Sequence, residues 1–274
     1  MGAARSIVVA FGALVLAGAA APVLAQEAET WPPLGVSFNG DPAVPDISGL
    51  WQGSQIGQPG VAPAPNRGPP DGEPQVYWTP FPLPFTPPYQ KIVDEREAAL
   101  KQGRALADIS ARCLPFGMPR VLVSRVYPDE VVQTPGQVTF FLYSSFPIVV
   151  WTDGRGHPKD WKPTFNGHTI GHWIGDTLFA ETVGINDLTS LDHSRVPHSE
   201  QLVLRWTVRR VAPDRLHVVA TVDDPEALRE PVTVVNIARR KTDPNWQVLD
   251  DGSCFENNRT NVDEDGNTDG FVKF

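Results

Sequence analysis

The stretch HTIGHWIGDTLFAETV, residues 168–183, predicts two β-strands joined by a tight turn. Side chains alternate in character along both halves, which is the period-two pattern of a sheet. The Gly175-Asp176 pair at its centre is typical of a two-residue hairpin turn. We therefore predict an antiparallel hairpin whose strands are 168–174 and 177–183.

The same period-two pattern continues on both sides of this hairpin. Eight to ten antiparallel strands are predicted in all, and such chains avoid exposed edges by closing into a barrel or pairing two sheets. We favour an all-β antiparallel barrel. The further strands are predicted at 47–54, 138–143, 148–151, 201–211, 216–222, 232–240 and 246–249.

Two segments interrupt the strands. In residues 58–88, 11 of 31 residues are proline, which excludes a helix or a central strand and predicts an extended arm. Because the arm also carries aromatic side chains, we expect it to lie against the domain. Residues 89–107 predict one helix, with Pro87 and Pro88 at its start.

The first 25 residues predict export. Arg5 precedes the apolar run 7–16, and Val23-Leu24-Ala25 forms a small-residue cleavage pattern. The apolar run is about half of the roughly 20 residues that a membrane anchor needs. We predict a periplasmic or secreted protein without a membrane span after cleavage.

Charge argues against one class of partner. Removing Arg5 with the signal leaves a net charge of −10, against −9 for the full chain. The basic residues are scattered, so no nucleic-acid partner is predicted.

The chain has two cysteines, Cys113 and Cys254. In an oxidising compartment they are expected to form a disulfide. The alternative is a nucleophilic thiol, for which Arg112 would be a basic neighbour.

The domain organisation follows from these segments. The prediction is a signal peptide (1–25), an N-terminal segment with the first strand (26–57), the arm (58–88), a helix plus barrel domain (89–259) that includes the first strand, and an acidic tail (260–274).

The hairpin carries the main candidate site. Its ladder sets His172 opposite Phe179 and Ile170 opposite Glu181. His168, Ile170 and His172 point the same way, and Glu181 lies diagonal to both histidines, within about 7–8 Å. The three polar side chains suit either a divalent metal site or a catalytic base oriented by its carboxylate. On an outward face they would be ordinary polar surface.

A second group lies near the next strand. His198 and Glu200 are predicted to share the buried side of that strand with Trp206, where a binding site would place its few polar groups. His157 and Asp187 lie in loops that could converge on the same barrel end, so we assign them, with Trp206, to ligand binding.

Two resemblances support this fold. Gly49-Leu50-Trp51 is similar to the G-x-W of lipocalins, in which the tryptophan meets a late arginine, here Arg239 or Arg240. Residues 46–259 also resemble a group of uncharacterised exported bacterial proteins. That resemblance rests on the segments DISGLW, RCLPFGMPR, QTPGQVTFFLY, TDGRGHP, NGHTIGHWIGDTLFAETVGIND, PHSEQL, VDDP and CFENNR. It implies a shared fold and export, and it implies no reaction.

Three functions remain as hypotheses. The first is a periplasmic protein that binds a small hydrophobic or aromatic molecule without a cofactor. In its enzymatic version, His168 or His198 moves a proton while Glu181 or Glu200 orients it, in an isomerisation, dehydration or hydrolysis. The second is an enzyme with one divalent metal on His168, His172 and Glu181. The third is a non-catalytic protein of the cell envelope.

Overall fold

A computed structural model describes residues 44–53, 78–104, 108–123, 128–143, 145–192 and 195–243. The predicted signal peptide, the strand at 246–249, Cys254 and the acidic tail lie outside these ranges. The signal peptide and the disulfide therefore stay predictions.

In the described part of the chain, nine strands close into a barrel in which each strand pairs with its neighbours in chain order and β9 pairs with β1. This confirms the predicted all-β barrel of eight to ten strands. The strands are β1 (Gly49–Gly53), β2 (Pro128–Thr134), β3 (Gln137–Phe141), β4 (Ile148–Trp151), β5 (His168–Ile174), β6 (Thr177–Val183), β7 (Val203–Ala212), β8 (Arg215–Asp223) and β9 (Val232–Arg240). Strand β2 was not predicted, because proline and two carboxylates open it and obscure its alternation.

The central hairpin has the predicted register. Strands β5 and β6 pair Ile170 with Glu181 and His172 with Phe179. The two-residue turn sets this register, as the sequence indicates.

One neighbouring pair of strands, β4 and β5, is parallel, while the other eight pairs are antiparallel. A closed ring with an odd number of strands cannot alternate direction all the way round. One parallel pair is therefore required, and parallel neighbours need a long connection that returns to the starting end. Here that connection is residues 152–167, which we call the return segment.

The barrel interior is filled by its own side chains. Trp206 is 1% exposed, and its ring meets Phe140 edge-on with 5.4 Å between centroids. Its indole Nε1–H donates to the Thr182 hydroxyl at 3.0 Å. Because these inward-facing residues are almost fully buried, the space around Trp206 is packed as in an ordinary protein core.

A short helix, α2 (Arg120–Val123), helps to fill the interior, and all four of its residues are buried. Asn236 on β9 shares its strand face with the buried Val234 and Ala238 and donates to the Val123 carbonyl at 2.8 Å. The helix therefore lies against the inner side of the barrel wall. At four residues it is too short to show a helical period in the sequence.

A partly buried ion pair lies at the start of α2. Asp108 Oδ2 lies 3.0 Å from Arg120 Nη1 and 3.3 Å from Arg195 Nε. The Arg120 guanidinium also stacks on the Phe116 ring, with its central carbon 3.9 Å from the ring centroid. Ser110 donates its amide and hydroxyl to Asp108 Oδ1, which completes the environment of this carboxylate.

The predicted helix is α1 (Pro87–Lys101), and it ends earlier than expected. Gly103 has φ +76°, and the amides of Gly103 and Arg104 donate to the carbonyls of Leu100 and Ala99. This is the Schellman end that glycine favours, and it stops the helix before the predicted limit of Ala107. A 3₁₀ turn at Ile109–Arg112, also not predicted, follows further along the chain.

The described end of the proline-rich arm packs on the barrel. Trp78 is 1% exposed and donates its Nε1–H to Asp192 Oδ2 at 2.9 Å. Thr79 forms a β-bridge with Thr233 on β9, and Phe85 is buried. Among the described residues, no helix has the length and apolar character to cross a bilayer.

The lipocalin-like pairing of tryptophan and arginine is present. Trp51 is fully buried, and the Arg240 guanidinium carbon lies 5.2 Å from its ring centroid. Gly49 has φ +126°, and a Cβ there would lie 2.7 Å from Arg240 Nη2, so glycine leaves room for this contact. Of the two expected arginines, Arg240 is therefore the one beside Trp51, which is compatible with a lipocalin-like barrel.

Candidate functional site

The predicted His–Glu face of the central hairpin lies on the outside of the barrel. Leu178, Ala180 and Thr182 on β6 are the buried, inward-facing side chains. Since neighbours alternate along a strand, Glu181 faces outward, and so does His168 across the ladder. The hydrophobicity of the hairpin residues alone does not decide which face is interior.

The return segment covers part of this outer face and brings His157 to His168. Their Nδ1 atoms are 2.8 Å apart, and their ring planes cross at 72°. On the far side of the His157 ring, Nε2 lies 3.6 Å from Glu181 Oε1. Three ionisable side chains from the return segment, β5 and β6 therefore form a line, Glu181–His157–His168.

Trp161, which no sequence pattern indicates, shields this line from solvent. Its ring meets the His168 ring edge-on, with 4.9 Å between centroids. It also lies on Gly184, where a Cβ would come within 2.5 Å of the indole Cδ1. His168 is consequently only 8% exposed although it faces outward. The return segment has no sequence period that could have predicted this contact.

Charge complementarity favours one proton arrangement along the line. Glu181 Oε1, at 3.6 Å, is beyond hydrogen-bond distance from His157 Nε2, but its negative charge favours hydrogen on that nitrogen. In a neutral His157 the Nδ1 atom then accepts, and His168 Nδ1–H donates to it. His168 Nε2 is left with a lone pair and has no hydrogen-bond partner among the described residues.

The surroundings of His168 favour its neutral form. Burial, followed by the electrostatic effects of the neighbouring His157 and Arg155, lowers the pKa of His168 below the ordinary value. A neutral imidazole with a free nitrogen is able to accept a proton.

Charged neighbours hold Glu181 in place. Arg205 Nε lies 3.0 Å from Glu181 Oε2, and its Nη1 lies 3.2 Å from Asp223 Oδ2. These groups are about half exposed, so this row contributes orientation more than stability.

A surface depression of about 380 Å³ adjoins the line and shares Trp161 with it. Its walls combine one aromatic ring with two lysines and a proline ring. The lining residues are Pro158, Lys159, Asp160, Trp161, Lys162 and Thr164.

His172 does not join this group. It is exposed, and its ring stacks on Phe179 with 5.8 Å between centroids. In the described part of the chain, no three or more His, Cys, Asp or Glu side chains are grouped to hold a metal ion. The predicted metal set of His168, His172 and Glu181 is therefore not assembled as a ligand shell among these residues.

His198 lies in a second, buried cluster. It is 3% exposed, with Nδ1 2.9 Å from the Ser199 carbonyl and Nε2 2.7 Å from the Thr189 hydroxyl. Thr189 Oγ1 is also 2.7 Å from the carbonyl of Met118, just before α2. Burial lowers the pKa of His198, against the raising effects of the Ser199 carbonyl, Asp224 and Asp187. Both ring nitrogens of His198 therefore have internal partners, and its predicted catalytic role stays a prediction.

The other predicted site residues are dispersed. Glu200 is exposed and does not share the buried side with Leu202, because residues 199–202 form a turn in which the Ser199 hydroxyl accepts from the Gln201 amide. Asp187 is exposed, and its charge acts on His198. Trp206 faces the packed interior, and its predicted role in ligand binding stays a prediction.

We predict that acidification destabilises the protein between pH 7.5 and 5.5. His168 and His198 have lowered pKa values when folded, whereas unfolded histidines titrate near about 6.5. Below about pH 6.5 the unfolded chain binds protons that the folded chain does not, so the free energy of unfolding falls, by at most about 1.4 kcal/mol per pH unit for each histidine. Urea denaturation across this range measures the slope. His198→Gln should reduce it, and stability that rises on acidification would contradict the prediction.

Comparison with known family models, curated proteins and solved structures finds no match to this chain, so its geometry alone carries the functional argument.

Proposed function

We propose that this protein is exported, binds a small apolar or aromatic molecule on the outer face of its barrel, and acts on it by acid–base catalysis. The observation that carries the proposal is the line Glu181–His157–His168, with its 2.8 Å contact between imidazole nitrogens. Export is supported by the predicted signal in residues 1–25.

In this line His168 is the base, and His157 and Glu181 stabilise the positive charge that forms on it. His168 Nε2 accepts a proton from the bound molecule, or from a water that attacks it, and becomes part of an imidazolium. The positive charge is then shared through the Nδ1–H contact with His157 and is stabilised by Glu181, 3.6 Å from His157 Nε2. Returning the proton to another atom completes an isomerisation or a dehydration, and delivery to a leaving group completes a hydrolysis.

The surroundings favour binding outside the barrel. Trp161 offers a fixed aromatic surface next to His168, and the depression that it lines can take a small molecule. The interior around Trp206 and Phe140 is already packed with side chains. A ligand on the outer face needs no opening of the barrel.

We expect NMR of protein with ¹⁵N-labelled histidine and tryptophan to detect both the base and the ligand. His168 should carry its hydrogen on Nδ1, the less common tautomer of free histidine, because His157 accepts from it. Fragments from a library of small aromatic and apolar compounds should shift the Trp161 indole and His168 ring signals. Carbon acids among the bound fragments should exchange hydrogen for deuterium in D₂O, and His168→Ala should abolish that exchange.

His172→Ala is the matched control, since it removes a histidine from the same face of the same strand. It should leave the tautomer of His168, fragment binding and exchange unchanged. Fragments that shift only the Trp206 indole would place the ligand inside the barrel and would overturn the proposal. An Nε2–H tautomer of His168 in the metal-free protein would overturn the assignment of the base.

A further inference from the structure

The contact between His157 and His168 also matches the spacing of two ligands on one metal ion. Nitrogen ligands at about 2.0–2.1 Å from an ion lie roughly 2.8 Å apart at a right angle and about 3.3 Å apart at the tetrahedral angle. The two Nδ1 atoms are 2.8 Å apart, with their ring planes crossed at 72°. If the His168 hydrogen moves from Nδ1 to Nε2, small rotations of the rings would bring both Nδ1 lone pairs onto a shared ion, and no strand would have to move.

The second nitrogen of His157 lies near a carboxylate that could accept its N–H after a small shift. Its Nε2 is buried, lacks a hydrogen-bond partner among the described residues and faces Glu181 Oε1 at 3.6 Å. Metal-binding histidines commonly donate this N–H to a carboxylate, which fixes the tautomer and strengthens the ligand. Glu181 is itself held by Arg205, so its direction is set before any ion arrives.

We propose that His157 and His168 bind one divalent transition-metal ion through their Nδ1 atoms, with Glu181 orienting His157. Imidazole ligands suit Zn²⁺, Cu²⁺ and Ni²⁺. Since no group of three or more His, Cys, Asp and Glu side chains is assembled for a metal in the described ranges, water or a bound molecule would complete the coordination. This site goes beyond the proposed acid–base function, which needs no metal.

The proposed site differs from the one that the hairpin sequence predicts. That prediction used His168, His172 and Glu181 as ligands, whereas here Glu181 is an outer partner and His172 stacks on Phe179. The return segment supplies the second ligand, His157. Variants at His157 and His172 therefore separate the two arrangements.

Calorimetric titration of tag-free, chelator-treated protein with zinc sulfate, and separately with copper sulfate, tests this inference. We expect saturable binding of one ion per chain, tighter for Cu²⁺ than for Zn²⁺. His157→Ala and His168→Ala should each abolish it, and Glu181→Gln should weaken it by about 10–100-fold. His172→Ala should bind with unchanged affinity. Affinity should fall from pH 7.5 to pH 5.5, because protons compete for the imidazoles.

Three results would overturn the inference: no binding by the unaltered protein, undiminished binding by His157→Ala, or loss of binding in His172→Ala. Circular dichroism checks that each variant is folded. If His168→Ala is not, the return-segment variant His157→Gln decides. Failure here is distinct from failure of the proposed function, because the tautomer and the fragment exchange are measured in metal-free protein.

Discussion

Trp206→Ala is expected to lower the free energy of unfolding by about 3–5 kcal/mol, the range for truncating a large buried aromatic side chain. The ring is 1% exposed and packs edge-on against Phe140, so its removal leaves a cavity in the barrel. Thr182 also loses the indole N–H that it accepts, although its hydroxyl keeps the 2.8 Å contact with Thr169. Urea denaturation monitored by far-UV circular dichroism measures the change.

The neighbouring Thr207→Ala is a control, since the Thr207 side chain faces outward on the same strand. Thr207→Ala should lower the free energy of unfolding by well under half as much as Trp206→Ala. Trp206→Phe should fall between the two, because it keeps a ring and loses the hydrogen bond. A loss below about 1 kcal/mol in Trp206→Ala would indicate that the ring lines an open space rather than a packed core. That result would return Trp206 to the ligand-binding role that the sequence predicts for it.

Asp108→Ala is expected to cost up to about 3–5 kcal/mol, the range for removing one partner from a buried ion pair, since the side chains of Arg120 and Asp108 are 6% and 15% exposed. The carboxylate is the partner of two guanidinium groups, Arg120 at 3.0 Å and Arg195 at 3.3 Å. Without this carboxylate, the positive charge of the little-exposed Arg120 remains next to α2, inside the fold. The free energy of unfolding in urea at pH 7.5 measures the effect.

The pH dependence of this pair supplies an independent check. Burial alone would raise the pKa of Asp108, but Arg120, Ser110 and Arg195 outweigh it and hold that pKa below its ordinary value. The stability from this group is therefore present above about pH 4 and lost as pH falls through the folded pKa. Asp108→Asn should lose much of the stability at pH 7.5 and flatten the acid response below pH 4. An acid response in Asp108→Asn equal to that of the unaltered protein would contradict the assignment.

The strands could be predicted because their information is local. Alternation along residues 168–183 and the Gly175-Asp176 turn determine both strands and their register, which the pairing of Ile170 with Glu181 confirms. Alternation likewise predicts β9 with its observed bounds. Strand β2 was not predicted because proline and carboxylates open it, and α2 was not predicted because it is too short to show a period.

The candidate site could be predicted only in part because half of it arrives from an irregular segment. The pairing of β5 with β6 places His168 and Glu181 on one face of the sheet, as the sequence predicts. Trp161 and the partnership of His157 with His168 depend on the path of the return segment, which no periodicity encodes. Deciding which hairpin face is interior required the neighbouring strand, where Trp206 and its inward neighbours are buried.

The odd number of strands limits how this architecture can change during evolution. Gain or loss of a whole hairpin alters the count by two, so one parallel pair persists and a crossing segment must still return along the wall. Gain or loss of a single strand beside β4 would make the count even, and a tight turn could then replace residues 152–167. His157 and Trp161 would disappear with that segment. Homologous barrels that keep the site should therefore differ from this one by hairpins and not by single strands.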